Sequence, residues 1–463
     1  MAMTAIATNM YLTANRAPVP DEVTALDLPV TGQIPVELEG RWLRNGPNPL
    51  PDSIDPATHH WFIGDGMVHG VRIRGGRAEW YRNRWLRSSH VAEALGESPV
   101  EGPRFGDRDL GPNTNVGGFA GRTWAMVEAG GTPMTMSYEL DTIASDDFSG
   151  TLPGPFTAHP KYDPSTQELH AMVYSWPDLV DHIQYLVVGG DGLVKRCVDI
   201  PVDDMIMVHD MSLTERYAVV YDLPVTVDID LAMAGRFPFR WKPGREARVG
   251  LLPRDGAASE IVWCPVQPCY VFHPLNAYDA PDGSVVLDVC RYEKMFDKDL
   301  LGPFGDSLAT LDRWTVNPAI GSVTEERIFD VPQEFPRHAP SVGGRPYQFG
   351  YTAGVNPLTG PDTNVFGPTY KVHVQSGATE RHDHGTGRGG AEPVFVARRD
   401  GSAEDDGWLM VLVHDATTDT SDLVILDAQD VAGPEVARIA LPRRVPDGFH
   451  GNWVSDAAVG PDR

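Results

Sequence analysis

Cysteine is scarce in this chain of 463 residues, and so are basic side chains and long apolar runs. The four cysteines, Cys197, Cys264, Cys269 and Cys290, form no CxxC pair. They are too few for a disulfide scaffold and read as inert thiols of a reducing compartment. Lys plus Arg number 38 against 64 Asp plus Glu, a formal net charge of −26. An acidic balance of this size opposes a phosphate backbone at long range and argues against nucleic-acid binding. No apolar run approaches the roughly 18 residues of a membrane span. Met1–Pro20 lacks the basic start and apolar core of a signal peptide. The expectation is a cytoplasmic protein with at most peripheral membrane contact and no evident obligate protein partner.

Long amphipathic helices are missing too, and the 47 glycines and 40 prolines speak against a helical bundle or coiled coil. Disorder is excluded by a hydrophobic content of 41% and by 11 Trp, 14 Tyr and 16 Phe. What is present is a succession of short runs rich in Val, Tyr, Trp and Leu, each ending at Gly, Pro, Asp or Asn. Arg122–Glu128, Leu169–Trp176, Ile183–Val188, Tyr217–Leu223, Val285–Tyr292, Pro393–Arg398, Trp408–His414 and Leu423–Asp427 read as strands. Arg74-Gly75-Gly76-Arg77 and Gly189-Gly190-Asp191-Gly192 are hairpin turns by composition. Ser89–Leu95 is the best helix and Asp228–Ala234 a weaker one. Turn signals recur from end to end with no low-complexity linker, so the chain reads as one all-β domain, 1–463. A closed ring of small sheets manages the edges of so many strands, and seven blades of about 66 residues fit the length.

Of the 15 histidines, most need no special account. His59 and His60 lie beside an aromatic turn. His382-Asp383-His384 looks metal-like but falls in the polar, Gly-rich stretch Arg381–Gly390, which reads as an exposed hairpin tip. Four others sit among apolar or aromatic neighbours: His159 in Phe156-Thr157-Ala158-His159-Pro160, His209 in Met207-Val208-His209-Asp210-Met211, His273 in Tyr270-Val271-Phe272-His273-Pro274, and His450 in Gly448-Phe449-His450-Gly451-Asn452-Trp453. A free imidazole is costly to bury there unless it is hydrogen-bonded or ligated. Each alone is an ordinary structural histidine. Their separations suit no helical motif, but the inner strands of a propeller could bring all four to one axis. Four imidazoles there would suit a borderline metal such as Fe(II) with positions left for O2. Spacing goes no further than that.

Longer motifs go further. Gly40-Arg41-Trp42-Leu43-Arg44-Asn45-Gly46-Pro47-Asn48-Pro49 and Trp61-Phe62-Ile63-Gly64-Asp65-Gly66-Met67-Val68-His69-Gly70, together with the four His segments, resemble the carotenoid cleavage oxygenase family. That family includes apocarotenoid oxygenases, stilbene-cleaving dioxygenases and the retinoid isomerohydrolase. The pattern is most similar to its bacterial, mycobacterial-type members. The resemblance runs from about 36 to 453, leaving 1–35 as an N-terminal extension. It implies a seven-bladed β-propeller with a cap of loops and short helices over an axial non-haem Fe(II), one per chain. The implied ligands are His159, His209, His273 and His450. Three outer carboxylates are implied at Glu128, Glu334 and Glu392, where a carboxylate on the remote ring N–H would fix tautomer and raise basicity. Thr114, in Asn113-Thr114-Asn115-Val116, resembles the residue whose methyl crowds one open coordination position. Trp61 and Phe62 are implied substrate contacts.

The reaction implied is scission of one C=C bond of a hydrophobic alkene by O2 to give two carbonyl products. The retinoid branch implies a non-oxidative alternative on the same metal. No GxGxxG follows a strand and no P-loop is present, consistent with a reaction that needs no nucleotide or flavin. Stilbene and phenylpropanoid cleavers of the family place Lys just before the first outer Glu to bind a phenol oxygen, whereas here Val127 stands there. The implied substrate is therefore a carotenoid or apocarotenoid, with a stilbene or phenylpropanoid alkene as the alternative. The short link from Val225 to Arg240 carries Leu231, Met233, Phe237 and Phe239 as a small apolar mouth.

Overall fold

The computed structural model describes residues 9–106, 109, 111–359, 364–401 and 403–461. Seven antiparallel sheets are arranged as the blades of a propeller. Blade 1 has the spatial order Thr24–Leu26, Arg77–Trp85, Gly66–Arg74, Gly40–Pro47, Gly451–Ser455. Blades 2, 3, 5 and 6 are four-stranded meanders that begin at Asn115–Phe119, Lys161–Asp163, Tyr270–Asp279 and Gln333–Arg337. Blade 4 begins at Ser212–Leu213 and carries an inserted ribbon, Val225–Val227 against Phe239–Trp241. In blade 7, Arg388–Gly390 and Val394–Ala397 share Gly407–Asp415, followed outward by Thr420–Asp427, Ala437–Ala440 and Val30–Gly32.

Closure uses both ends of the chain twice. Gly451–Ser455 pairs with Gly40–Pro47 in blade 1, and Val30–Gly32 pairs with Ala437–Ala440 in blade 7. Residues assigned to an N-terminal extension thus supply an edge strand to each of two blades. Residues 1–8 of that extension lie outside the described residues. Each seam covers a row of N–H and C=O groups that would otherwise be left unpaired.

Burial rises toward the axis. In blade 5 the first eight residues of Tyr270–Asp279 are all buried, whereas no residue of the last strand, Ser322–Phe329, is. The strands expected from composition are found to within a few residues, and Val285–Tyr292 coincides. The helix Ser89–Leu95 is capped by Ser88, which accepts from the Val91 N–H, and ends at Gly96 with φ 70°. The second helix is Ile229–Met233, with Asp228 as its cap. Among the described residues no helix is long and apolar enough to cross a membrane.

The turn Gly75-Gly76 has φ values of 56° and 70°, the left-handed pair a two-residue hairpin needs. A Cβ on Gly75 would meet nothing within 4 Å, so its cost is backbone strain alone. Gly75→Ala is expected to destabilise the protein by about 1 kcal/mol, read as a lower denaturant midpoint, with Gly75→Asn costing less.

One expectation is corrected. His382 and His384 are buried, not at an exposed tip. The His382 Nδ1–H donates to the Val431 carbonyl of blade 7 at 3.1 Å, and His384 lies against Gly390. A polar, Gly-rich composition gave no warning that the next blade would cover it.

Candidate metal centre

The seven blades each deliver one titratable side chain to the axis. His159 and His209 lie shortly before the first strands of blades 3 and 4, and His450 immediately precedes Gly451–Ser455 of blade 1. His273 lies within the first strand of blade 5 and Glu334 within that of blade 6. Glu392 precedes Val394–Ala397 of blade 7, and Glu128 follows the second strand of blade 2. Sequence separations of tens to hundreds of residues are thereby reduced to contact.

One ring nitrogen from each of the four His lies within 4.8 Å of the other three, and all four residues are buried. Centroids are 4.2, 4.9, 4.8 and 4.6 Å apart around the cluster, and 5.3 Å between His159 and His273 across it. The Nε2 atoms of His209 and His273 are 3.1 Å apart. Two nitrogens about 2.1 Å from one ion at a right angle would be about 3.0 Å apart. The Nε2 of His159 is buried without a hydrogen-bond partner among the described residues.

The remote nitrogens are held differently. His273 Nδ1 is 2.6 Å from Glu334 Oε2, and His450 Nδ1 is 2.9 Å from Glu392 Oε1. A carboxylate only accepts, so both rings carry the proton on Nδ1 and turn a bare Nε2 inward. His209 Nδ1 is 2.7 Å from Glu128 Oε2, a close contact that is poorly aligned for a hydrogen bond. His159 has no such partner: Asp210 is 3.9 Å from its Nδ1 and is itself held by Lys161 at 2.7 Å. Glu334 also accepts from the Phe335 N–H, and Glu392 from the Gly451 N–H at 2.8 Å.

Protonation of His159 and His450 is disfavoured. Burial first, then the neighbouring imidazoles, pushes His159 well below the ordinary histidine range. Burial drives His450 down to about 3 despite Glu392. Burial also opposes charge on His273, but Glu334 outweighs it and the net shift is upward. Lone pairs facing one another at this range repel unless a cation lies between them. The donor set therefore fits a metal ion with imidazole preference.

A cavity of about 470 Å³ opens on one side of the cluster. Trp61, Phe62, Phe237, Phe239, Phe272, Tyr292, Phe304 and Phe449 line it, with Thr114, His209, His273 and His450 at its inner end. Of the residues read as a mouth, Phe237 and Phe239 reach the cavity, while Met233 is 82% exposed. Thr114 Oγ1 donates to Asn113 Oδ1 at 2.9 Å, and its carbonyl accepts from the His450 N–H at 3.0 Å. Val127 lines the cavity, and no Lys or Arg does among the described residues. Tyr174 and Tyr292 line it beside Glu128 and Glu334. Burial, reinforced by those carboxylates, holds both phenols protonated.

Trp61, Phe62, Phe237 and Phe239 are expected at the cavity from sequence, whereas Phe272, Tyr292, Phe304 and Phe449 are not. A signal existed: Phe272 and Phe449 each immediately precede a clustered His. On a strand that enters the axis, the neighbour of an inward ring faces the adjoining space.

A seven-bladed propeller with four imidazoles on its axis and an apolar cavity against them defines a class of oxygenase, and sequence comparison assigns the chain to it. The family model described as "Retinal pigment epithelial membrane protein" matches residues 16–455. A carotenoid cleavage oxygenase of Mycobacterium tuberculosis is 45% identical over 98% of this chain and 99% of that one. Cobalt-substituted ACO of Synechocystis superposes with TM-score 0.83 and 29% identity, covering 96% of this chain and 98% of the other. Lignostilbene dioxygenase of Pseudomonas brassicacearum does so with TM-score 0.85 and 26% identity, covering 98% and 100%. The chain belongs to the carotenoid cleavage oxygenase family and is an oxygenase.

Proposed function

We propose that the protein is a non-haem Fe(II) dioxygenase that cleaves one C=C bond of a carotenoid or apocarotenoid with O2, giving two carbonyl products. The observation that carries this is the convergence of four imidazole nitrogens, three of their rings lining an apolar cavity that no Lys or Arg lines among the described residues. His159, His209, His273 and His450 would hold the iron, and the bound iron would supply the redox chemistry that makes O2 reactive toward an alkene.

The chain's own residues do the rest. Glu334 and Glu392 fix the tautomers of His273 and His450, and Glu128 puts a carboxylate in close contact with the His209 ring without an aligned hydrogen bond. With its hydroxyl spent on Asn113, Thr114 offers the inner end of the cavity no free donor. Trp61, Phe62, Phe272 and Phe449 exclude water and hold a flat, conjugated chain by its faces. No side chain needs to act as general acid or base, because the alkene supplies the electrons and both oxygens of O2 leave in the products.

The cavity also bears on substrate. A phenolate entering it would find no Lys or Arg among the described residues to hold it, and an unpaired polar group costs about 1–3 kcal/mol there. The test is a panel of apocarotenals, carotenoids, 4-hydroxystilbenes and vinylphenols with Fe(II)-loaded protein under 18O2, read by product mass. An apocarotenal or carotenoid is expected to be cleaved at least about tenfold more efficiently than any phenolic substrate, with label in the carbonyl products. Preference for a phenolic alkene would overturn the substrate assignment. Unlabelled products would overturn the dioxygenase reading.

A further inference from the structure

His382, His384 and Glu435 form a second cluster, built from residues that the axial centre does not use. One ligand atom of each lies within 4.8 Å of the others. His382 closes the last strand of blade 6, Ala378–His382, and His384 follows in the connection to blade 7. Glu435 lies just ahead of Ala437–Ala440 in blade 7. The two ring centroids are 4.9 Å apart.

The hydrogen bonds leave one nitrogen of each ring directed to no structural purpose. His382 Nδ1 faces the Val431 carbonyl at 3.1 Å, and a carbonyl only accepts, so Nδ1 carries the proton. The Nε2 of the neutral ring is then a bare lone pair, 3.9 Å from Glu435 Oε1. Two acceptors facing each other need a proton or a cation between them. His384 Nε2 is satisfied by Thr369 Oγ1 at 3.0 Å, while its Nδ1 is buried with no hydrogen-bond partner among the described residues. A proton on His382 would settle the first ring and leave the second orphaned. A metal ion bound by His382 Nε2 and His384 Nδ1 would settle both. Gly390 makes room for the arrangement, since a Cβ there would come within 2.3 Å of His384 Nε2.

We propose that His382, His384 and Glu435 form a structural site for a divalent borderline metal of the Zn(II) type, which pins blade 6 to blade 7. Two imidazoles and one carboxylate are a donor set for such an ion, with water completing the shell. Val431 and Thr369 act as the outer partners that orient the rings. Arg438 holds Glu435 through both carboxylate oxygens, its Nε at 2.9 Å from Oε2. It orients the carboxylate and competes for it, so affinity is set below that of a closed four-ligand site. Glu435 is the partly exposed member and marks the side from which an ion would arrive.

The experiment uses the full chain loaded with Fe(II), equilibrated with zinc chloride in a weakly chelating buffer and desalted. Iron and zinc are then counted in the same sample for the parent, His382→Gln, His384→Gln and Glu435→Gln. The parent is expected to hold one zinc more per chain than either His variant, with iron content and alkene cleavage equal in all. Glu435→Gln, which keeps its volume and can still accept from Arg438, is expected to bind zinc at least about tenfold more weakly. Zinc should raise the unfolding midpoint of the parent more than those of the His variants. The reading is a difference between proteins, so it stands even if the axial centre takes up zinc instead of iron. Equal zinc in parent and His variants would overturn the site. So would a parent that holds no zinc beyond what displaces iron, which would leave His382 and Glu435 as an ion pair only.

Discussion

Replacing His273 by alanine is expected to abolish iron retention and lower alkene cleavage by at least about 10³-fold. A metal that polarises a reacting oxygen supplies several kcal/mol of transition-state stabilisation, and about 4 kcal/mol corresponds to 10³ in rate. Of the four rings His273 is the most informative. Its Nε2 lies 3.1 Å from that of His209, and its Nδ1 is 2.6 Å from Glu334. The substitution therefore removes a donor and strands a buried carboxylate at once. Glu334 keeps the Phe335 N–H but loses its imidazole partner, which costs the metal-free protein about 1–3 kcal/mol. The two consequences are separable. Metal content and turnover are measured on protein whose folded fraction is known from its denaturation curve. His384→Gln serves as the control, since it removes a buried imidazole elsewhere in the ring of blades. A His273→Ala protein that folds, holds iron and cleaves its alkene at the parent rate would remove the axial cluster from the mechanism.

What could be read from residues alone followed the range of the forces involved. Strands were legible because alternation and turn chemistry are local. Ser89–Leu95 was legible because Ser88 and Gly96 punctuate it within one turn at each end. The four axial histidines stood out because their immediate neighbours are apolar, a local signal for a non-local site. The seams were invisible. Nothing in Val30–Gly32 indicates Ala437–Ala440 as its partner, because strand pairing across the whole chain leaves no mark on either segment. Glu334 and Glu392 had no local signature either, and came only from resemblance to known oxygenases. The pairing of Asp210 with Lys161 beside His159, in place of a direct carboxylate, was beyond sequence reading for the same reason. His382 and His384 mark the opposite error. Composition described their loop correctly as polar and turn-rich, but burial there is decided by blade 7.

Glu334→Gln tests whether the outer carboxylates tune the centre or merely fill space. The amide is nearly isosteric and can still accept from the Phe335 N–H through its oxygen. It cannot offer His273 a full negative charge. Of the three carboxylates Glu334 makes the shortest contact to its ring and is 2% exposed. Glu392 is shared with the Gly451 N–H and has Arg337 3.7 Å away, which already offsets part of its charge. Glu128 is in close but misaligned contact with His209. Loss of charge at 334 should accordingly be felt most. Iron affinity is expected to fall by about 10- to 100-fold, with cleavage restored at saturating Fe(II) to within about tenfold of the parent. The same change at Glu392 is expected to cost less, and at Glu128 least. The order matters more than any single value. A metal titration followed by iron content and by turnover gives it directly. Affinities equal to the parent's in all three variants would mean that the carboxylates only occupy volume. A loss of turnover that saturating iron does not restore would place Glu334 in the reaction itself rather than behind His273.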